Sequence, residues 1–382
     1  MRRLALAVLS LAALAAVPSA EACDCGGCPP VSCGTTSTSG GAAGPLLVRN
    51  FGQTGQLEVF DVTTGRRRLT LPPGRVSASR ARYFTAVRRG HTTAIRAFDV
   101  RSGRLLRAWR HARPDWRVAG VSANGRIVAL IRSARKGTWI ELVAARRGKL
   151  LRSVALHGWF DVDAVSNDGR RLFLVQYVRT GYLIRRYDFT RRELAARSLT
   201  EDGVPMTGTA WDAVADPAGR WLLTLYLRGT ARPEVHTLDL VRGTAVCIDL
   251  PSGSAAAVQE YVLALGRDGR ALYAANPALG VVATVDLERH RLVHVAHFAR
   301  RVDPTAQSSN ASVSHDGRTV YFTTGRALYA YDAAFGRVRV ADDGGSAISG
   351  LAFSRDDRRL LVVGRNGHAL WLDAATGRRA ST

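Results

Sequence analysis

Acidic and tryptophan side chains occur together at two places in the chain, and these residue types could bind a ligand or catalyse a reaction. The stretch Trp159-Phe-Asp161-Val-Asp163 precedes a second stretch, Trp211-Asp212. Paired carboxylates can act as general acid and base, and tryptophan beside carboxylates is suited to binding a sugar or a cation. The structural alternative is that both tryptophans fill gaps in the core while the aspartates accept hydrogen bonds from the backbone.

The candidate ligand-binding rim adds to these two stretches other polar residues that we expect in loops on the same side of the molecule. Its members are Trp159, Asp161, Asp163, Glu201, Asp202, Trp211, Asp212, Glu260 and Asn276. No catalytic residue, metal ligand or cofactor is assigned, because the sequence has no Gly-x-Ser-x-Gly elbow and no His-Glu-x-x-His zinc motif. Cys25-Gly-Gly-Cys28 is not followed by histidine, so the pattern excludes c-type haem attachment.

Seven copies of one turn motif show which elements must position these residues. Most copies have an acidic or amide residue followed by Gly-Arg, and they lie at 76–82, 121–126, 165–170, 214–220, 265–270, 313–318 and 353–358. Asp or Asn favours a turn because its side chain accepts a backbone N–H two residues on, and Gly supplies the positive φ. Successive copies are roughly 40 to 50 residues apart, which is the period of a four-stranded propeller blade.

A second motif, Asp-x-x-x-Gly, predicts another hairpin in each repeat. It occurs at 61–65, 99–103, 239–243, 332–336 and 373–377. In the repeat at 161–199, β-branched and aromatic residues predict strands at 172–178, 182–189 and 193–199. No stretch after residue 46 has a sustained apolar period of 3.6 residues, which predicts almost no helix.

These motifs predict an all-β fold over residues 46–382, a β-propeller of four-stranded antiparallel blades. Seven blades are preferred, closed by Arg68–Leu71 pairing beside Leu370–Leu372, with 46–62 as extra outer structure. Eight blades with an incomplete first blade is the alternative. In either case, the loops between second and third strands and between blades share a rim opposite the two turn motifs, and they carry the candidate residues.

The repeats resemble those of the bacterial YVTN-type β-propellers, which are relatives of WD-repeat propellers. The match is best at Tyr273-Ala-Ala-Asn276, followed by 281–286 and preceded by the Asp-Gly-Arg turn at 268–270. The resemblance covers about residues 46–382 and implies the propeller fold. It implies no single function, because propellers of this general kind include scaffolds, lactonases and proteins that bind quinone or haem d1.

Residues 1–22 have the pattern of a signal peptide. Met1-Arg-Arg3 precedes an apolar run, Leu4–Val17, which is too short to span a bilayer, and small residues follow it. We therefore expect an extracytoplasmic mature chain, secreted or associated with the cell envelope, with no transmembrane segment after cleavage. Cys23 at the cleavage edge leaves lipidation open, although Ala20-Glu-Ala22 departs from the pattern of a lipobox.

A Cys-rich segment and a Gly/Ser/Thr linker occupy residues 23–45. The disulfide candidates are Cys23, Cys25, Cys28 and Cys33. An oxidising compartment favours two local disulfides, and a small zinc knot is the alternative. Cys247 stands alone in an apolar strand, where we expect a buried thiol.

The chain is strongly basic, with 54 Lys and Arg residues, 31 Asp and Glu residues and a formal net charge of +23. Only Lys136 and Lys149 are lysines, and the arginines are spread through every repeat. Nucleic-acid-binding proteins instead concentrate charge in dense patches interleaved with aromatic residues, so no nucleic-acid partner is expected. The charge favours retention near anionic envelope polymers.

The sequence therefore predicts an exported, monomeric, non-catalytic binding or scaffold module in the bacterial cell envelope. Its expected partner is a protein, an envelope glycan or an anionic envelope polymer. The alternative is an extracytoplasmic propeller enzyme, a lactonase-like or metal-assisted hydrolase centred on Asp161, Asp163, Asp212 and Glu260. The missing hydrolase motifs weigh against catalysis and leave the question open.

Overall fold

The computed structural model describes residues 46–50, 56–134, 137–199, 203–228, 232–299, 309–343 and 346–380. Within these ranges, nearly all regular structure is β-strand, and the one helix, α1, is the single turn Ala255–Val258. This agrees with the expectation of almost no helix. In the described ranges, no helix has the length and apolar content needed to cross a bilayer.

The strands form eight antiparallel sheets in chain order, which we number as blades 1 to 8. Blade 1 contains β1 (Leu46–Asn50), β2 (Gln56–Phe60) and β3 (Arg67–Leu71); blade 2 contains β4 (Arg75–Val76), β5 (Arg82–Arg89), β6 (Thr92–Asp99) and β7 (Leu105–His111). Blade 3 contains β8 (Arg117–Val121), β9 (Ile127–Ala134), β10 (Gly137–Ala144) and β11 (Lys149–His157); blade 4 contains β12 (Trp159–Val165), β13 (Arg171–Val178), β14 (Gly181–Asp188) and β15 (Glu193–Leu194). Blade 5 contains β16 (Thr209–Ala215), β17 (Trp221–Arg228), β18 (Arg232–Asp239) and β19 (Thr244–Asp249); blade 6 contains β20 (Val262–Leu265), β21 (Ala271–Asn276), β22 (Val281–Asp286) and β23 (Arg291–His297). Blade 7 contains β24 (Ser309–Val313), β25 (Thr319–Thr324), β26 (Ala327–Asp332) and β27 (Arg337–Asp343); blade 8 contains β28 (Ile348–Phe353), β29 (Arg359–Gly364) and β30 (Ala369–Asp373).

Both turn motifs form the predicted hairpins. In the first motif of blade 4, Asp168 Oδ1 accepts the Arg170 N–H at 2.9 Å, and Gly169 has a φ of 67°. In the second motif of blade 5, Asp239 Oδ1 accepts the backbone N–H groups of Val241 and Arg242 at 2.9 and 2.8 Å. Because strands alternate in direction, all such turns lie on one rim, which we call the lower rim. The loops between second and third strands and between blades lie on the upper rim.

Apolar residues alternate along the strands and bury both faces of most blades. The largest cluster packs blade 5 against blade 6 around Leu223, Leu263 and Ala283, and none of these three side chains is exposed. Similar clusters join blades 3 and 4, and blades 6 and 7. A single blade could not bury both of its faces, so the ring is the stabilising unit.

The structure confirms the all-β propeller and has eight sheets in the described residues, as in the eight-bladed alternative. Residues 46–62 are not extra outer structure, because β1 and β2 are the inner strands of blade 1 and β1 contacts β28. Among the described residues, the two ends of the chain do not pair to close the ring, since β3 pairs with β2 and β30 with β29. It closes instead through side chains, with Phe60 packed against Leu361 and Val363.

The outer strand of blade 4 is also shorter than predicted. We expected a strand at 193–199, whereas β15 spans only Glu193–Leu194. The chain then follows β14 irregularly, and the Leu199 N–H donates to the Ile184 carbonyl at 2.7 Å. Met206 forms a β-bridge with Tyr182, so residue 206 lies beside the upper end of β14.

Candidate functional site

The two tryptophan–aspartate stretches lie at the upper ends of neighbouring inner strands. Trp159 is the first residue of β12, where its side chain is 62% exposed. Trp211 lies in β16 of the next blade and is 37% exposed. Inner strands of a propeller line its central channel, so these residues belong to the mouth of the channel on the upper rim.

Asp161 is buried and paired across a blade boundary. Its Oδ2 accepts a hydrogen bond of 2.9 Å from Arg117 Nη2 in β8, and its Oδ1 accepts the Val162 N–H at 2.8 Å. Burial raises the pKa of this carboxyl, and the neighbouring Arg117 opposes that rise by favouring the ionised form. Both oxygens of Asp161 therefore have fixed partners within the protein.

Asp163 has a different environment, although it is only two residues away. Val162 and Ala164 of β12 have pairing partners on β13, but Asp163 between them has none. Asp163 is therefore the extra residue of a β-bulge, a feature that redirects a side chain. Its Oδ1 is enclosed and has no hydrogen-bond partner among the described residues. Burial, helped by the charge of Asp161, raises the pKa of Asp163 to about 7. This carboxyl can therefore change its protonation state near neutral pH.

Asp212 and Trp211 connect blade 5 to the following blade. Asp212 Oδ1 accepts the Ala213 N–H at 2.8 Å, and its Oδ2 accepts the Leu263 N–H of β20 at 2.9 Å. Trp211 Nε1 donates to the Gln259 carbonyl at 2.7 Å. These bonds match the structural alternative given above for Asp212, an aspartate bonded to the backbone of a neighbouring blade.

The remaining predicted residues lie elsewhere or outside the described ranges. Glu260 Oε2 accepts a hydrogen bond of 2.7 Å from Thr324 Oγ1 of blade 7. Asn276 is fully buried, where Nδ2 donates to the Ala257 carbonyl and Oδ1 accepts the Leu279 N–H. Glu201 and Asp202, and the cysteines at 23, 25, 28 and 33, lie outside the described residues. Of the predicted rim, the structure therefore brings together Trp159, Asp161 and Asp163.

Tyr177 and Arg117 belong with these three residues and were not identified from the sequence. Trp159 and Tyr177 are opposite each other on β12 and β13, and Tyr177 is 45% exposed. Burial of its ring, with the charges of Asp161 and Asp163, raises the pKa of Tyr177 to about 12. The pairing of strands, which local motifs do not encode, is what makes two aromatic side chains neighbours here. We call Trp159, Tyr177, Asp161, Asp163 and Arg117 the mouth site.

Polar side chains interrupt the apolar packing between blades 4 and 5, next to the mouth site. On the face of blade 5 that meets blade 4, the buried Leu238 of β18 is followed at alternate positions by His236 and Glu234. His236 is 1% and Glu234 2% exposed, and Arg228 Nε lies 2.8 Å from Glu234 Oε1. The sequence signal for this boundary was Glu234-Val-His236, two polar residues on the same face of a strand otherwise expected to be buried.

Two enclosed polar atoms at this boundary, Asp163 Oδ1 and His236 Nε2, have no hydrogen-bond partner among the described residues. The side chains of Tyr182 and Tyr226 lie between them and interact with each other. The ring centroids of Tyr182 and Tyr226 are 5.6 Å apart, and those of Tyr226 and His236 are 6.2 Å apart. Because buried polar atoms in native proteins are almost always hydrogen-bonded, such a group needs a water, an ion or a ligand to complete it.

The electrostatics of this boundary keep most of its hydrogen-bonding groups neutral. Burial, with the nearby charge of Arg228, lowers the pKa of His236 to about 4. Burial also raises the pKa values of the Tyr182 and Tyr226 hydroxyls. Cys247 is half-buried and its Sγ lies 3.5 Å from His236 Nδ1, instead of being enclosed in an apolar strand as expected. Within the described residues, no group of three or more His, Cys, Asp or Glu side chains could hold a metal ion.

The ring of eight sheets with its channel mouth defines this chain as a β-propeller. It is similar in structure to the dihydro-heme d1 dehydrogenase NirN, in complex with DHE, with a TM-score of 0.54 and 17% identity over 89% of this chain and 72% of that chain. It is also similar to the Dos1 propeller, with a TM-score of 0.54 and 11% identity over 92% of this chain and 95% of that chain. At these identities the similarity shows the fold alone. No protein-family model and no curated protein matches the chain.

Proposed function

We propose that this propeller is an exported, non-catalytic binding module whose mouth site binds a glycan of the cell envelope. The observation that carries the proposal is the pair of exposed aromatic side chains, Trp159 and Tyr177, beside the carboxyls of Asp161 and Asp163. Flat aromatic faces pack against sugar rings, and a few fixed polar groups orient a ligand and make its binding specific.

The partners of the carboxyls support binding over catalysis. Acid–base chemistry needs two groups able to exchange protons with a substrate. Asp161 bonds to Arg117 and Val162, and Asp212 bonds to two backbone N–H groups, so both are committed to the fold. Among the described aspartates of the candidate site, only Asp163 has an enclosed oxygen without a described partner. One such carboxyl can orient a hydroxyl group but does not supply the second catalytic group.

Export, the envelope location, monomeric state and absence of a nucleic-acid partner are parts of the same proposal. The leader-like segment at 1–22 supports export, and the net charge of +23 supports retention by anionic envelope polymers. Expression of the full chain in a bacterium, followed by fractionation, tests this part. Cleavage near residue 22 and recovery outside the cytoplasm are expected, whereas an uncleaved cytoplasmic chain contradicts export.

Binding of the mature chain to chitotetraose, a soluble oligomer of an N-acetylated amino sugar, tests the site by calorimetry. We expect Trp159→Ala and Tyr177→Ala each to weaken binding about tenfold, because an aromatic face that packs on a ligand contributes on the order of 1 kcal/mol or more. Phe335→Ala is the matched control, since Phe335 is 74% exposed in a turn on the lower rim. Equal losses for all three variants, or no saturable binding, contradict the mouth site.

The same experiment separates binding from catalysis. For a binding module, Asp163→Asn should weaken chitotetraose binding in a graded way, and the oligomer should be recovered intact after long incubation. Hydrolysis of the oligomer, or of a lactone offered in its place, that is lost in Asp163→Asn would instead favour the enzyme.

A further inference from the structure

A basic groove lies on blade 2, away from the mouth site. It has a volume of ≈ 620 Å³ and is lined by Arg89, Thr92, Ala94, Arg96, Ala108, Trp109 and Arg110. No residue in this lining is acidic. Within the described residues, no carboxylate forms an ion pair with Arg89, Arg96 or Arg110, whereas nearby Arg88 is paired with Asp115 at 3.1 Å. The groove therefore has three guanidinium groups for which the described residues provide no counter-charge.

The register of the strands explains why this surface is open. Arg96 of β6 is opposite Ala108 of β7, and Ala94 is opposite Arg110, so each arginine has a small side chain across from it. These four residues share one face of the sheet because Cβ atoms alternate between faces. Alanines leave room for a ligand between the arginine side chains.

Among the described residues, blade 1 covers the same face near the lower rim. Tyr83 packs there against Leu57 and Leu71 of blade 1, and Phe98 adjoins this cluster. Blade 1 contributes three strands in the described residues, whereas blade 2 has four. β3, the outer strand of blade 1, meets the lower end of blade 2, where Arg68 Nη1 donates to the Arg101 carbonyl at 3.5 Å. Among the described residues, the lining of the groove includes none from blade 1.

We infer that this groove binds a linear polymer that carries phosphate groups. Arginine is suited to such a partner because its planar guanidinium donates two parallel hydrogen bonds to one phosphate and stays charged at any physiological pH. Three arginines in one open groove can follow successive phosphates along a chain, which a single small anion would not require. The net charge of +23 attracts any polyanion, but the groove would give the attraction a defined place.

Binding of the mature chain to long-chain inorganic polyphosphate tests the inference at several salt concentrations. The groove variant is Arg89→Gln, Arg96→Gln and Arg110→Gln together. The control variant is Arg197→Gln, Arg291→Gln and Arg337→Gln, three exposed arginines of blades 4, 6 and 7 whose loss changes the net charge equally. All six substitutions are at exposed or half-buried positions, and circular dichroism and thermal unfolding verify that both variants fold.

We expect the groove variant to bind polyphosphate about tenfold more weakly than the control variant at the same salt concentration. Its affinity should also fall less steeply with salt, because fewer ionic contacts release fewer counterions. Equal losses in the two variants would overturn the inference, since binding would then depend on total charge alone. Absence of polyphosphate binding by the unaltered chain would overturn it as well.

Discussion

Arg117 and Asp161 join blades 3 and 4 at the mouth of the channel through a hydrogen bond of 2.9 Å between Nη2 and Oδ2. The two partners are unequally buried, with 31% of the Arg117 side chain and 3% of the Asp161 side chain exposed. Arg117 can therefore be hydrated if Asp161 is removed, whereas the buried Asp161 cannot be hydrated if Arg117 is removed. We therefore expect the two substitutions to lower the free energy of unfolding by different amounts.

We expect Arg117→Met to lower the free energy of unfolding by about 3 kcal/mol, because it leaves a buried carboxylate without its cation. Asp161→Asn should cost only about 1 kcal/mol, since the amide keeps an acceptor and the arginine is partly hydrated. Urea unfolding at pH 7, followed by tryptophan fluorescence, measures both. Equal costs would mean that Asp161 is more hydrated than its burial indicates.

The raised pKa of Asp163 predicts a pH-dependent stability. The pKa is about 7 in the folded chain, against about 4 for an unperturbed aspartate. Because the folded state holds the proton more tightly, the carboxyl contributes stability below about pH 4, and this contribution is lost as the pH rises through about 7. Asp163→Asn should therefore become more stable relative to the unaltered chain as the pH rises, by up to about 4 kcal/mol.

Urea unfolding at several pH values between 4 and 8 measures this difference between the two chains. Asp249→Asn is the control, because it removes the same negative charge at an exposed position on β19. A stability difference that depends on pH no more for Asp163→Asn than for Asp249→Asn would contradict the raised pKa.

The turn motifs made the propeller predictable because each encodes its hairpin locally. Asp239 and Gly243 set their turn with their own side chain and backbone, so no distant residue is needed. The blade count was less predictable, because it depends on whether β1 pairs with β2 inside the ring, a fact about long-range packing. Local motifs located Trp159 and Asp161 in the mouth site, but Tyr177 and Arg117 join it through strand pairing and blade stacking.

Two glycines of the lower rim test how closely the blades pack. Gly317 and Gly377 have similar φ values of 73° and 71°, so alanine is strained at both. A Cβ at Gly317 would have nothing within 4 Å, whereas one at Gly377 would lie 2.6 Å from Ala341 Cβ and 3.0 Å from Ala341 Cα. We expect Gly317→Ala to cost about 1 kcal/mol from the backbone alone.

Gly377→Ala should lower the free energy of unfolding by about 1 to 3 kcal/mol more than Gly317→Ala does, because blades 7 and 8 must separate to admit the methyl group. Thermal unfolding of the two variants under identical conditions compares them. Equal midpoints would show that the C-terminal turn moves away from Ala341 without cost.

The closure of the ring gives the last prediction. Phe60 is 1% exposed and packs against Leu361 and Val363 of blade 8, although nearly the whole propeller separates these residues in sequence. If blade 1 completes the ring, Phe60→Ala should lower the free energy of unfolding by about 3 to 5 kcal/mol, as for other buried phenylalanines. Phe335→Ala is the control and should change it by less than about 0.5 kcal/mol, because that ring is 74% exposed. Guanidinium unfolding measures both variants.

In a seven-bladed ring with residues 46–62 outside it, Phe60 would be peripheral, so a loss of stability as small as that of the control would contradict the eight-bladed closure. A large loss would mean that the two ends of the chain hold the ring together by side-chain packing without a shared sheet.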